Sequence, residues 1–352
     1  MNAQQLLPEQ DLIRFATDAL TARGVPSEDA HLTARSLVQA DQRGIYSHGL
    51  LRLPLYCDAL RLGGINPKPN LTFSGDRGGV AVLDADAALG QVAMQAAVDR
   101  AIELGRTQGI AAVAVHNSSH YGAGAFWSDQ LATAGFLSFI TSSTGPVVAP
   151  HGGGSKVLGT NPLTLSAPSA SGWPLTADLA TSNGAYGKVI AAKNEGTQLP
   201  EGWAVDANGQ PTTDPVEAGK GSMIPFGGHK GSAIAVLLEA FAASLTNATF
   251  AFETVDIWSN PGSRMNNGHL VVAIDTDAFG GIAHTASRVA TLQDRVRASG
   301  SGDRPASAPG DPERLRQADA ADAVSLPPST VSQLVALAEE LSIQPLDIHT
   351  AQ

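Results

Sequence analysis

Gly79-Val80-Ala81-Val82-Leu83 is a short apolar run opened by glycine, and Ala111-Ala112-Val113-Ala114-Val115 is a second. Between them, residues 91–104 read as a helix. Strand, helix and strand in that order predict an α/β core. Further strands are predicted over 137–141, 163–166 and 270–274, and an apolar helix over 232–245. The segments on either side read as helical. Pro8 opens an amphipathic run through Leu12, Ile13, Phe15, Ala16 and Leu20 that Gly24 ends. Ser27 is the expected N-cap of a second helix through Val38, which Gly44 stops. A third helix is expected from Ser47, with Pro54 as a kink within it. Residues 298–311 are rich in Gly, Ser, Pro and Ala and read as a mobile loop. A last helix is expected over 329–341.

Composition narrows the function. The 352 residues carry a formal net charge of −11, which argues against a nucleic-acid surface. A local site can still attract an anionic small molecule. The single cysteine, Cys57, leaves no intramolecular disulfide and no multi-cysteine metal site, and its apolar surroundings point to the core. No apolar stretch reaches the roughly 18 residues of a membrane span. Residues 1–20 lack the basic start and apolar run of a signal peptide. A soluble cytoplasmic protein is expected.

One absence is informative. No G-x-G-x-x-G follows a strand and there is no Walker loop. Gly122-Ala123-Gly124 lacks the third glycine and the later acid. The usual dinucleotide-binding fold is unsupported.

The densest chemistry lies in Asp41-Gln42-Arg43-Gly44-Ile45-Tyr46-Ser47-His48-Gly49-Leu50-Leu51-Arg52-Leu53-Pro54. On a helix, His48 and Arg52 would share a face. The imidazole can exchange a proton near neutral pH, and the guanidinium can hold a carboxylate by two parallel hydrogen bonds. Such a pair suits a small carboxylate beside a reactive C=O or C=N. A second histidine, His120, follows a predicted strand within Asn117-Ser118-Ser119-His120-Tyr121-Gly122-Ala123-Gly124. The C-terminal end of such a strand is where α/β proteins place ligands, and the glycines admit a flat ring or a phosphate. Gly159-Thr160-Asn161-Pro162 reads as a tight turn offering a hydroxyl, with Asn161 capping it. Asp178-Leu179-Ala180-Thr181-Ser182 ends a strand and begins a helix-like run. Its polar groups can meet a ribose or an amide, or Asp178 can serve as an N-cap. Gly227-Gly228-His229-Lys230-Gly231 stands at a helix N-terminus, where N–H groups, dipole and two basic side chains favour a phosphate. His31, His116, His151, His269, His284 and His349 show no metal-ligand spacing.

These five segments, in this order, resemble the malate/L-lactate dehydrogenase-like family of NAD(P)-dependent oxidoreductases, which lacks the usual Rossmann fold. The resemblance implies a mixed sheet flanked by helices. It implies a helical domain from residues 1–75 and 312–352 that contributes substrate and catalytic residues. An α/β domain would span 76–311, with cofactor-binding segments over about 116–250. Within the family, 225–233 and 247–252 look most like the Δ1-piperideine-2-carboxylate/Δ1-pyrroline-2-carboxylate reductases. That implies NADPH-dependent reduction of a cyclic imino acid, with NADH a possible substitute, by a homodimer. His48 would donate the proton with Ser47 as relay, and Arg52 and Thr160 would hold the substrate. His120, Tyr121, Gly122, Ala123 and Gly124, then Asp178, Leu179 and Ala180, then His229 and Lys230 would line the cofactor. In the dehydrogenase branch, acting on 2-oxo and 2-hydroxy acids, His120 is instead the general acid/base. A non-catalytic nucleotide-binding protein would keep His229 and Lys230 without needing His48 and Arg52 together. Two departures stand out. Tyr186 occupies the place of a basic residue, and Pro309-Gly310-Asp311 lacks basic flanks, which weakens the grip on a 2′-phosphate.

Overall fold

In a computed structural model of the chain, residues 5–302, 304–320 and 322–348 are described. His349 lies outside them. The centre is a seven-stranded mixed sheet in the order β2-β3-β4-β11-β5-β6-β7. Its strands are β2 (Thr72–Arg77), β3 (Val80–Ala88), β4 (Ile110–Ser118), β5 (Phe136–Ser142), β6 (Leu163–Ala167), β7 (Leu175–Leu179) and β11 (Asn267–Asp275). Only β3 and β4 run parallel, joined by α4 (Gly90–Gln108); the other neighbouring pairs are antiparallel. The strands expected from apolar runs are all present, each a little longer than its run. β4 and β11 are buried over most of their length, which explains why they read as continuous apolar stretches rather than alternating ones. α4 packs on β3, β4 and β11; α5 (Gly124–Thr133) packs on β5, β6 and β7.

The first and last strands meet. β1 (Gln5–Pro8) pairs antiparallel with β12 (Ala323–Leu326), in register Gln5 with Leu326. Around this ribbon lie α1 (Glu9–Ala22), α2 (Ser27–Gln42), α3 (Leu53–Leu62), α10 (Asp311–Ala320) and α11 (Pro328–Leu341). One apolar core runs without a break from Leu12 and Leu37 through Tyr56 and Met94 to Val113, Val271 and Leu334. Cys57 is buried in it, its thiol pushed up to about 12 by burial. The helix boundaries correct two expectations. Pro26, not Ser27, stands at the N-cap of α2, with no side-chain cap, and the helix continues past Val38 to Gln42.

A smaller lobe completes the molecule. It holds α6 (Tyr186–Glu195), α7 (Pro215–Lys220) and a three-stranded sheet of β8 (Ala204–Val205), β9 (Pro211–Thr212) and β10 (Ser222–Met223). Its own apolar cluster joins Val148, Val189, Leu199 and Met223 to Ala235 of α8 (His229–Ala243). α9 (Ile282–Arg297) leads into the Gly- and Ser-rich loop, which is closed at its base. Arg297 donates to both carboxylate oxygens of Asp311 at 2.9 and 2.8 Å. Among the described residues no helix is long and apolar enough to cross a membrane.

Candidate active site

The 46–52 stretch folds as two short 3₁₀ turns, Tyr46–His48 and Leu50–Arg52. The helix expected from Ser47 is not formed. Gly49 between the turns is extended (φ −90°, ψ −154°), which interrupts helical geometry. Pro54 opens α3 instead of kinking a longer helix, because its missing N–H is no loss in a first turn. Gly49 has to be glycine: a Cβ there would lie 1.9 Å from Asp41 Oδ1. The Asp41 carboxyl accepts from the Leu50 amide at 2.8 Å and ties the turn to the end of α2. Burial pushes its pKa up to about 8.

His48 and Arg52 therefore meet through a turn. Ser47 Oγ lies 2.9 Å from His48 Nδ1. Arg52 Nε donates to the Ser47 carbonyl at 2.6 Å, which fixes the guanidinium and leaves both Nη groups without a hydrogen-bond partner among the described residues. His120 reaches the same place from the end of β4. Ser119 Oγ accepts from the Gly90 amide at 3.0 Å and donates to the Ala88 carbonyl at 2.9 Å, joining the start of α4 to that strand end. A Cβ on Gly90 would sit 2.4 Å from the Ser119 carbonyl oxygen, so only glycine permits this approach.

The rings of His48 and His120 stack with centroids 5.3 Å apart. Burial, then the nearby Arg52 charge, lowers the His48 pKa to about 4. Burial, then His48 and Arg52, holds His120 well below its ordinary value. Both are neutral near pH 7. His120 Nδ1 is 2.6 Å from the Tyr56 hydroxyl, which leaves Nε2 as the ring nitrogen available to a ligand. The Trp258 indole meets the His120 ring edge-on at 5.2 Å.

These groups face one cavity of about 680 Å³. Ser47, His48, Arg52, His120, Tyr121, Gly122, Ala123, Gly124, Thr160, Asp178, Leu179 and Ala180 all line it. Tyr186 and the 307–310 loop do so too. His229 and Lys230 do not: they begin α8 as exposed side chains outside the lining. Asp178 is not the N-cap of a following helix. It lies in β7 and accepts from the Ala125 amide at 2.9 Å and from Thr164 Oγ1 at 2.8 Å, capping the first turn of α5 from across the sheet. Asn161 also does more than cap a turn. Its amide nitrogen donates to Glu239 at 2.6 Å and to the Ala235 carbonyl at 3.1 Å, anchoring the turn that presents Thr160 to α8.

Several site residues were not singled out from sequence. Tyr56 follows Arg52 by the four-residue spacing that separates His48 from Arg52, and that repeat was the available signal. Trp258, Asn267 and the Arg43–Asp129–Arg314 cluster carry no local pattern. Asp129 accepts from Arg43 Nη2 at 2.8 Å and from Arg314, and its other oxygen takes the Thr176 hydroxyl at 2.7 Å. Asn267 Oδ1, buried at the cavity wall, has no hydrogen-bond partner among the described residues and fits a ligand N–H or O–H. Together with the glycine bend at 122–124, these features fit a dinucleotide.

The comparisons agree with this architecture. Residues 7–335 match the model of the malate/L-lactate dehydrogenase family. The chain is 35% identical over 329 residues to a malate/(S)-sulfolactate dehydrogenase of Methanothermus fervidus, covering 92% of this chain and 95% of the relative. It is 37% identical over 250 residues to a Δ1-pyrroline-2-carboxylate/Δ1-piperideine-2-carboxylate reductase of Pseudomonas putida, covering 70% and 72%. The solved sulfolactate dehydrogenase from Methanocaldococcus jannaschii superposes with a TM-score of 0.90 at 33% identity, over 96% of this chain and 98% of that one. The protein belongs to the malate/L-lactate dehydrogenase family and is an oxidoreductase.

Proposed function

We propose that the protein is an NAD(P)-dependent dehydrogenase interconverting a 2-oxo and a 2-hydroxy carboxylate. The observation that carries this reading is the neutral His120, with Nε2 available, beside the fixed Arg52 fork in a cavity fit for a dinucleotide. A nicotinamide cofactor, when bound, would supply or take the hydride. Arg52 holds the substrate carboxylate, which fixes C2. His120 Nε2 takes the C2 hydroxyl proton in oxidation and returns it to the carbonyl oxygen in reduction. Thr160 offers its hydroxyl to the same ligand, and Gly122 to Gly124 with Asp178 to Ala180 lie along the cofactor. The relative that acts on malate and (S)-sulfolactate spans nearly the whole chain, which favours a 2-hydroxy acid.

Reduction of a cyclic imino acid is the second reading. The Ser47–His48 hydrogen bond and the likeness to the reductase favour it. In that case His48 would supply the imine proton. A substrate panel separates the two: malate, sulfolactate and lactate with NAD⁺ and NADP⁺, against both cyclic imines with NADH and NADPH. Cofactor absorbance is the readout. Turnover of a hydroxy acid at least tenfold above either imine is expected. The reverse ranking would return the reaction to the imine and the proton to His48.

A further inference from the structure

Behind His120 lies a chain of neutral groups that reaches Gln91. Gln91 is the second residue of α4 and is fully buried. Its Nε2 donates to the Tyr56 hydroxyl at 3.3 Å, and that hydroxyl lies 2.6 Å from His120 Nδ1. Its Oε1 is buried with no hydrogen-bond partner among the described residues. A buried amide oxygen left unpaired beside a proton-carrying chain calls for a reason.

Proton counting supplies one. The Tyr56 hydroxyl has one proton. While it accepts from Gln91, it donates to His120 Nδ1, and neutral His120 then carries its only proton on Nε2. That tautomer cannot take a proton from a substrate. The base-competent tautomer has Nδ1–H and a bare Nε2, so Tyr56 must accept from Nδ1 and place its own proton elsewhere. A half-turn of the Gln91 amide puts Oε1 where Nε2 was and provides that acceptor.

We propose that Gln91 is a positioning residue that makes His120 a base by turning its amide over, so that Oε1 accepts from Tyr56 and Tyr56 accepts from His120 Nδ1–H. The inference rests on His120 being the proton carrier. During oxidation the substrate O–H breaks and its proton joins Nε2, while the C2–H electron pair leaves as hydride to the oxidised cofactor. The turned chain then serves the imidazolium as well, because both ring protons have acceptors. The two neutral tautomers exchange through that imidazolium, which gains one proton from solvent and loses the other to it. The titratable and charged groups facing His120 are His48, Arg52 and Tyr56 from the 46–62 region and His269 from β11, with Trp258 uncharged at its edge.

The test uses Gln91→Leu, which removes the acceptor, and Gln91→Glu, which leaves only acceptors. The readouts are the ring-nitrogen NMR signals of His120 in the unliganded protein and the acid limb of kcat/KM for hydroxy-acid oxidation. In Gln91→Leu the unliganded ring keeps the wild-type Nε2–H tautomer, but the His120 pKa falls and kcat drops roughly tenfold with the cofactor KM unchanged. In Gln91→Glu the pKa rises. Tyr56→Phe cancels both shifts, because it cuts the chain between them. A wild-type His120 pKa in both variants, or shifts in the same direction, would overturn the proposal. Opposite shifts in a protein that turns over no 2-hydroxy acid would uphold Gln91 and sink the proposed reaction.

Discussion

The Arg52 guanidinium lies over the Trp258 ring, its carbon 4.9 Å from the indole centroid. The plane of the fork is therefore set on two sides, by the indole and by the Nε hydrogen bond to Ser47. A lysine keeps the charge but has no plane to stack and no second parallel donor. Arg52→Lys should cost about 1.5–3 kcal/mol of transition-state binding, or roughly 10- to 150-fold in kcat/KM. Steady-state kinetics with the best substrate of the panel checks it. An unchanged kcat/KM would remove Arg52 from the substrate.

His120→Ala should lower kcat by about 10²- to 10⁴-fold, the usual range for a lost general acid/base. Cofactor affinity, followed by fluorescence titration, should hold. His48→Ala should lower kcat less, because the proton passes through its neighbour. A larger loss at His48 would reassign the proton to the Ser47–His48 pair.

The pH profile has a direction. Oxidation needs neutral His120, and burial with the neighbouring His48 and Arg52 holds its pKa well below 6.5. The neutral form thus persists into acid. The acid limb of kcat/KM for oxidation should fall below pH 6.5, measured in a constant-ionic-strength buffer series. A limb above that value would mean that His120 is not the base.

Asp41 gives a stability slope of the opposite sign. Its folded pKa of about 8 stands above the ordinary value of 3.8 because the carboxyl is buried. Between those two values the folded state holds a proton that the unfolded state releases. Stability is full below the lower value and is lost as pH climbs to the upper, by up to about 1.4 kcal/mol per unit. Asp41→Asn should flatten the fall of Tm between pH 5 and 8 while keeping an acceptor for the Leu50 amide. A parallel fall in both proteins would place the slope elsewhere.

Lys230 stands outside the cavity at the exposed start of α8, so a cofactor touching it must extend beyond the lining. If its 2′-phosphate does so, Lys230→Ala raises the KM for NADPH and spares that for NADH. Equal rises place the lysine on a part common to both cofactors. No change in either excludes it from the cofactor site.

Sequence carried the sheet well where burial is two-sided, as in β4 and β11, because apolar runs survive any register. It carried the 46–52 turns poorly. A four-residue spacing reads as helix, and the close approach of Asp41 to Gly49 is invisible without coordinates. Motifs located most of the cavity, since Ser47 to Arg52, His120 to Gly124 and Asp178 to Ala180 each keep their chemistry within a few residues. The groups that orient them come from far along the chain. Tyr56 and His120 are 64 residues apart, and only the four-residue repeat from His48 through Arg52 sets that tyrosine apart from an ordinary core aromatic.

The β1–β12 ribbon has a consequence for synthesis. His48 and Arg52 are made early, but the layer that carries them is fastened to a strand that does not exist until residues 323–326 are made. Closing so long a loop is slow, because its entropy is lost before its contacts form. A ribosome-stalled chain ending before Ala323 should therefore expose α1 to protease while the sheet already resists it. On that view, catalytic competence is among the last properties a newly made molecule acquires.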